Sequence, residues 1–209
     1  MSFFSESSIF YGSENIEKFF RFITKFGEGH FELLLVAVLV SFILFDKMKF
    51  YTKKKYIAGI FFSLLSTQIV VHLCKLLFGR ARPSITANPG KFYGILDLIK
   101  NNSLFESDYA SFPSGHTITI WGTIWILSFF IKNRVIKMLL FILGFLVGIS
   151  RVYLIHHWTT DVIASVVLSY FIAKFVYNRM HEIRYIKEPV YRKKHRKVKR
   201  KREKLETVN

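Results

Sequence analysis

Long apolar runs, separated by charged segments, constrain the fold of this chain more than any other feature of its sequence. Such runs occupy residues 30–45, 56–78, 116–131, 136–153 and 158–177. A helix needs about 20 apolar residues to cross the hydrocarbon core of a bilayer. A net charge of +17 beside 51% hydrophobic residues fits a membrane protein whose charges and apolar runs are segregated. We therefore predict an all-α fold, a transmembrane bundle of about five spanning helices with antiparallel neighbours.

The segment 15–26, which precedes the first run, has a different pattern. Apolar residues three and four positions apart alternate there with charged residues, which is typical of an amphipathic helix in the membrane interface. A sixth spanning helix is the alternative, but it would place four charges in the membrane. We divide the chain into an interfacial segment (1–29), a transmembrane domain (30–178) and a basic tail (179–209). We expect no cleavable signal peptide, because the start lacks a basic region followed by an apolar core.

Lysine and arginine residues predict the orientation, because cytoplasmic loops carry an excess of them. They concentrate in 46–55, in 132–137 and in the tail, which five spanning helices would place on the cytoplasmic side. Loop 79–115 and the turn near Arg151 would then lie on the opposite side. The basic run at 192–204 has no interleaved aromatic residues, so we expect it to bind anionic membrane lipids rather than nucleic acid.

Three segments interrupt the apolar pattern on that non-cytoplasmic side. In the first, Lys75 and Arg82 are seven residues apart, so two turns of helix would place both cations on one face. Pro83 then discourages further helix. Two cations on one face form a site for an anion, although each could instead extend its charge toward lipid headgroups.

The second segment, Pro-Ser-Gly-His at 113–116, precedes the third apolar run. Ser114 can cap that helix, and Gly115 lets the backbone approach a ligand closely. Backbone N–H groups at a helix start suit a phosphate, and His116 lies where a proton donor would be useful. A simple Ser-Gly cap beside an unrelated histidine is the alternative for this segment alone.

The third segment runs from Ser150 to Asp161. His157 and Asp161 are four residues apart, so they can meet on one helix face. The carboxylate would then fix the tautomer of the ring and leave its other nitrogen free to attack. Arg151 adds a guanidinium group that matches phosphate oxygens. His156 is a rival nucleophile, but it lacks the four-residue spacing to Asp161 and is treated as secondary.

Together the segments supply a nucleophile with its orienting group, a second histidine and cations for a phosphate. Charged residues at such depths in a membrane are costly and tend to be functional. The sequence has no carboxylate cluster suited to Mg²⁺ or Zn²⁺, so we expect neither a metal nor another cofactor. Its one cysteine, Cys74, excludes an intrachain disulfide.

These segments, in this order, resemble the signature of the type 2 phosphatidic acid phosphatase superfamily. The patterns Lys-x6-Arg-Pro, Pro-Ser-Gly-His and Ser-Arg-x5-His-x3-Asp are matched by Lys75, Arg82 and Pro83, by residues 113–116, and by Ser150, Arg151, His157 and Asp161. The resemblance covers the chain from the second apolar run to the fifth. It departs at the N-terminus, because many members have six spanning helices.

The resemblance implies a metal-independent phosphoric ester hydrolase that acts on a membrane lipid. His157 would attack phosphorus and form a phosphohistidine, with Asp161 holding its tautomer. His116 would protonate the leaving oxygen and then activate water. The phosphate-binding residues implied are Lys75, Arg82, Ser114, Gly115 and Arg151.

The size of the chain and its lysine-rich tail resemble small bacterial members, which implies an inner membrane with the site facing the periplasm. The resemblance favours lipid A 1-phosphate as substrate, with phosphatidylglycerophosphate, phosphatidic acid and undecaprenyl diphosphate as alternatives. Soluble vanadium haloperoxidases share the signature, and a membrane scaffold could keep the anion site without catalysis. We expect loop 84–112 and the N-terminal segment to select the headgroup. The oligomeric state is left open.

Overall fold

The computed structural model describes residues 14–45, 50–104 and 106–180 of the chain. Within these ranges the α-helices are α1 (Glu14–Thr24), α2 (Gly29–Phe45), α3 (Phe50–Phe78), α4 (Gly94–Lys100), α5 (Gly115–Phe130), α6 (Arg134–Tyr153) and α7 (Thr159–Met180). Single 3-10 turns lie at Lys25–Gly27 and Ser107–Tyr109. The β pairing found in this part of the chain is one isolated bridge between Arg80 and Phe92, so the prediction of an all-α fold is confirmed. The basic tail from residue 181 onward lies outside the described residues.

Each predicted apolar run corresponds to one helix, although α3 begins earlier than expected, at Phe50. Asn133 shows how the sequence sets such a boundary. Its side-chain oxygen accepts hydrogen bonds of 2.8 and 3.2 Å from the backbone N–H groups of Val135 and Ile136. These bonds satisfy donors that the first turn of α6 would otherwise leave unpaired.

Three helices of the described chain are long and apolar enough to cross a membrane, namely Tyr56–Phe78 of α3, α6 and α7. The 17 residues of α2 and the 16 residues of α5 are shorter. At 1.5 Å per residue they extend only about 25 Å, against roughly 30 Å for the hydrocarbon core. The protein is thus a membrane-embedded helical bundle, and the number of five spans stays a prediction.

Helix α5 lies at the centre of the bundle, where it packs on α3 along one side and on α6 along the other. Small residues allow the close approach. A methyl group on Gly122 would lie 2.8 Å from Thr67 Cγ2, and one on Gly144 would lie 2.9 Å from the ring of Trp121. These glycines therefore set the distances between the helices next to the candidate segments 75–82, 113–116 and 150–161.

Large apolar side chains cover the outer surface of the bundle. Phe61 of α3, Phe145 of α6 and Phe171 of α7 are 59%, 59% and 62% exposed. Exposed aromatic side chains in this number would be unfavourable in water but are suited to lipid. The outward faces therefore agree with the membrane location.

Helix α1 packs on α6 through one face. Ile23 is buried in the core, and the ring centroids of Phe20 and Tyr153 lie 4.5 Å apart. The remaining large apolar side chains of this helix are exposed: Ile16, Phe19 and Phe22. The amphipathic helix predicted at 15–26 is therefore present, and its placement in the membrane interface stays a prediction.

The loop between α3 and α5 folds back on the end of α3. Tyr93 N donates to Gly79 O, and Ala81 N donates to Lys91 O, both at 3.1 Å. Gly79 has a φ of +54°, and a methyl group there would lie 2.8 Å from Leu98 Cδ1 of α4. Glycine is required at this turn, which directs the following residues toward the start of α5.

Candidate active site

The first and second predicted segments meet at one end of the bundle. A methyl group built on Gly115 would lie 3.6 Å from Lys75 Nζ. Arg82 lies in the loop after α3, where its backbone N–H donates to Asp108 O at 2.8 Å. The end of α3 and the loop therefore bring two cations to the first turn of α5.

The second and third segments are joined through α7. The hydroxyl of Ser165 donates to two backbone carbonyls, that of Asp161 at 2.6 Å and that of Ser114 at 3.2 Å. His116, in the first turn of α5, is close enough to His157 for the two rings to interact electrostatically. The structure thus gathers all the predicted site residues into one cluster.

Three cations in this cluster face one another. Lys75 lies close enough to Arg82 and Arg151 for mutual repulsion. None of the three forms an ion pair with a carboxylate of the described residues. The buried Nε atoms of both arginines also lack a hydrogen-bond partner in that part of the chain. Because buried donors are rarely unpaired, this arrangement is suited to an anion with several oxygens.

Arg151 is held by a residue of α1, a helix that lies outside the three candidate segments. One terminal nitrogen of its guanidinium group donates to Thr24 Oγ1 at 2.8 Å, across the contact between α1 and α6. The side chain is only 6% exposed. Sequence reasoning missed Thr24, because a single threonine far from the signature gives no local signal.

The geometry of His157 corrects one expectation. Its Nδ1 lies 2.7 Å from the backbone oxygen of Ser111, whereas Asp161 Oδ2 is 3.8 Å away, beyond hydrogen-bond range. The predicted hydrogen bond between His157 and Asp161 is therefore absent. The prediction assumed that both residues lie on one face of a helix. Helix α7 begins only at Thr159, however, so His157 lies in the turn before it. Since a carbonyl only accepts, Nδ1 carries the proton and Nε2 is free to attack.

Asp161 is fully buried and has other partners. Its Oδ2 accepts from Ser111 Oγ at 2.6 Å and from Trp158 N at 3.0 Å, and its Oδ1 accepts from Arg80. The bond to Trp158 N is the one that an acidic residue makes in the first turn of a helix to the residue that caps it. The carboxylate therefore caps α7 and anchors the loop at the same time.

Arg80 is a buried site residue that sequence reasoning missed. Besides Asp161, it donates to Thr160 Oγ1 at 2.8 Å and to Pro89 O. Its guanidinium carbon lies 4.9 Å from the centroid of the Phe92 ring. The sequence could have indicated Arg80 by its position two residues before Arg82. Two arginines so close together beside an apolar run each need a partner.

Ser114 occupies the predicted position before α5 but does not cap it with its side chain. The hydroxyl instead pairs with Thr117 Oγ1 at 2.9 Å, and the side chain is fully buried. The side-chain cap that we predicted is therefore wrong, because Thr117 lies one turn away and takes the hydroxyl. The position at the helix start is as expected.

The 3-10 turn after α1 packs directly on His116. A methyl group on Gly27 would lie 2.8 Å from His116 Cβ and 2.9 Å from Val147 Cγ1. No side chain larger than hydrogen fits there without displacing the histidine. The N-terminal segment thus contacts two residues of the site, His116 and Arg151.

Both histidines of the turn before α7 are held neutral by their surroundings. Burial lowers the pKa of His157 to about 4, with Asp161 acting in the opposite direction and Arg151 and Arg82 adding to the lowering. Burial and Arg151 likewise lower the pKa of His156 to about 4. A neutral ring at physiological pH is the form that can act as a nucleophile.

No group of three or more metal-ligating side chains occurs in the described ranges. The arrangement built from residues 75–161 offers cations and histidines rather than carboxylates. Independence from metal stays a prediction that needs a solution test.

Comparison with known proteins identifies relatives of this chain and of its fold. The sequence model of the PAP2 superfamily matches residues 56–185. A probable lipid phosphate phosphatase 4 of Arabidopsis thaliana is 28% identical over 171 residues, covering 68% of this chain and 55% of that protein. This chain therefore spans about half the length of that curated relative.

Two crystal structures share the fold. The structure of Aquifex aeolicus LpxE aligns with a TM-score of 0.60 and 21% identity, over 79% of this chain and 87% of that one. The first transmembrane PAP2 type phosphatidylglycerolphosphate phosphatase from Bacillus subtilis aligns with a TM-score of 0.58 and 19% identity, over 82% and 80%. Both likenesses concern the fold.

Proposed function

This chain belongs to the PAP2 superfamily, and we propose that it is a membrane lipid phosphatase with His157 as its nucleophile. The observation that carries the proposal is the pair of buried Nε atoms of Arg82 and Arg151, which have no hydrogen-bond partner among the described residues, beside a neutral histidine. Such a cluster binds an anion and presents a nucleophile to it. A phosphate monoester fits both requirements.

In the first step, the lone pair on His157 Nε2 attacks phosphorus while the bond between phosphorus and the lipid oxygen breaks. The negative charge of the bound phosphate offsets Lys75 and Arg151 and favours a protonated His116. His116 donates this proton to the lipid oxygen, which leaves as the lipid alcohol. The proton on His157 Nδ1 stays directed at the Ser111 carbonyl. The product of this step is a phosphohistidine and a neutral His116.

In the second step, His116 accepts a proton from a water molecule as the water oxygen attacks phosphorus. The phosphorus–nitrogen bond breaks, inorganic phosphate leaves, and His157 returns to its starting tautomer. Lys75, Arg82 and Arg151 stabilise the equatorial oxygens in both steps, with Ser114 and the backbone of Gly115 beside them. Phosphoryl transfer depends mainly on positioning and charge stabilisation, so each of these groups contributes to the rate.

We further propose that the substrate is a lipid of the bacterial envelope, hydrolysed on the periplasmic side of the inner membrane. Lipid A 1-phosphate and phosphatidylglycerophosphate are the first two candidates. One fold relative is named LpxE, and the other is named a phosphatidylglycerolphosphate phosphatase. Phosphatidic acid and undecaprenyl diphosphate complete the set to be tested.

The experiment is phosphate release by purified protein in detergent, with each of these four lipids and with His157→Ala as the matched variant. We expect release from at least one lipid and a loss of about 1,000-fold or more in the variant. A His157→Ala protein with wild-type activity would refute the assignment of the nucleophile. If no lipid is hydrolysed, retained vanadate binding would favour a non-enzymatic anion-binding protein.

A further inference from the structure

Three buried residues form a closed ring of hydrogen bonds next to the nucleophile. Asp161 accepts from Arg80 through Oδ1 and from Ser111 Oγ through Oδ2, at 2.6 Å for the latter. The ring is completed by the backbone, since Ser111 N donates to Arg80 O at 3.0 Å. Ser111 and Asp161 are fully buried, and Arg80 is 5% exposed.

His157 is attached to this ring at one atom, the backbone oxygen of Ser111, 2.7 Å from its Nδ1. The position of that oxygen is fixed from both sides of its residue, by the side-chain bond to Asp161 and by the backbone bond to Arg80. A peptide oxygen orients the imidazole and selects its tautomer without bringing a net charge to the ring. The charge of Asp161 is balanced by Arg80 within the same network.

We infer that Arg80 and Ser111 are positioning residues for His157, which they orient through the Ser111 carbonyl while Arg80 neutralises Asp161. In this arrangement Asp161 acts on the nucleophile indirectly, by holding the loop that carries the carbonyl. The inference rests on the proposed function, because it assigns residues that serve the same nucleophile.

The charges around His157 decide how the loss of Arg80 would be seen. The ring of His157 faces Arg82 from the loop after α3, Arg151 from α6 and Asp161 from α7. The imidazoles of His116 and His156 are also neighbours. Without Arg80, Asp161 becomes an uncompensated anion 3.8 Å from Nδ1. A carboxylate whose charge is no longer balanced favours the imidazolium, so the pKa of His157 should rise.

The first arm of the test is Arg80→Gln, with Lys132→Gln, exposed in the turn between α5 and α6, as the matched loss of a cation. We expect kcat to fall by about 10- to 100-fold in Arg80→Gln with KM nearly unchanged. The acid limb of the pH profile of kcat/KM should move to higher pH. Lys132→Gln should change neither. A folded Arg80→Gln protein with wild-type kcat and an unmoved acid limb would overturn the inference.

The second arm is Ser111→Ala, which opens the ring but keeps every charge. Its control is Ser128→Ala, because Ser128 lies near the end of α5 remote from the site, where its hydroxyl donates to Trp125 O at 2.8 Å. We expect Ser111→Ala to lower kcat without changing KM, and the control variant to change neither. This arm decides the question if Arg80→Gln does not fold, as judged by gel filtration and thermal unfolding. Equal kcat in the two serine variants would refute the role of the ring.

A readout that does not need catalysis separates this inference from the proposed function. In protein labelled with ¹⁵N-histidine, the His157 signal is identified by its loss in His157→Ala. We expect the Nδ1–H tautomer in the wild type and a raised pKa in Arg80→Gln. The opposite tautomer would overturn the inference even if phosphate is released. The expected spectra without any phosphate release would instead refute the proposed function alone.

Discussion

Thr24 accepts a hydrogen bond of 2.8 Å from the guanidinium group of Arg151, although the two residues are 127 positions apart. Thr24 is the last residue of α1, and Arg151 lies in the last turn of α6. The bond crosses a contact in which Ile23 is buried beside Val147. A segment outside the sequence signature therefore fixes the orientation of a cation that the signature supplies.

The first prediction concerns this bond. Thr24→Val keeps the shape of the side chain but removes the acceptor, so Arg151 is free to turn away from the phosphate. We expect kcat/KM to fall by about tenfold, which corresponds to roughly 1.4 kcal/mol of transition-state stabilisation. Thr24→Ser restores a hydroxyl and should recover most of the activity. Equal losses in the valine and serine variants would show that packing, and not the hydrogen bond, matters at this position.

The second prediction uses two nearby glycines as a matched pair. A methyl group on Gly27 would lie 2.8 Å from His116 Cβ, whereas one on Gly29 would meet nothing within 4 Å. We expect Gly27→Ala to displace His116 and lower kcat by about 10- to 100-fold. Gly29→Ala should retain wild-type kcat. The prediction is wrong if both variants hydrolyse lipid at the same rate.

The third prediction concerns pH. An ordinary histidine begins to lose its nucleophilic form near pH 6.5. Burial lowers the pKa of His157 to about 4, so its neutral form persists until the pH falls to that value. We expect the acid limb of kcat/KM, corrected for titration of the lipid phosphate by ³¹P NMR, to lie near pH 4 rather than near pH 6.5. The opposite limb, at higher pH, belongs to His116, which must be protonated to act as the proton donor.

His156 is the control for this profile, because its pKa is lowered to a similar value. His156→Gln should leave the acid limb in place. If the limb disappears or shifts in that variant, then the titration belongs to His156, and the assignment of the nucleophile must be revised.

The fourth prediction concerns metal. The negative charge of a phosphate is met in this site by Lys75, Arg82 and Arg151, which can take the place that a divalent cation has in many phosphoryl-transfer sites. We expect full activity after dialysis against EDTA. Activity that is lost on chelation and restored by Mg²⁺ or Zn²⁺ would contradict this expectation.

The helices could be predicted from the sequence because apolar runs of membrane length have few other ways to fold. Their backbone polar groups must be paired internally in lipid, and a helix achieves this locally. Helix α4 was missed for the converse reason. Its seven residues lie in a polar loop, and the burial of Leu98 against Gly79 stabilises it through a tertiary contact.

The clustering of the candidate residues could be predicted from the sequence, but their pairings could not. The spacing of His157 and Asp161 suggested a direct hydrogen bond along a helix. The helix starts at Thr159 instead, so the carboxylate caps it and bonds to Ser111. Which partner a buried carboxylate takes depends on a loop 50 positions away in the sequence, and local spacing carries no information about that contact.

Boundaries for shortened versions of the protein follow from the contacts of α1. A fragment that began at residue 56, where the match to the family starts, would keep all the signature residues. It would lack the hydroxyl that holds Arg151 and the turn that abuts His116. The smallest fragment able to assemble the site should therefore begin upstream of Glu14, and fusion partners are better joined before that residue than within the segment that follows it.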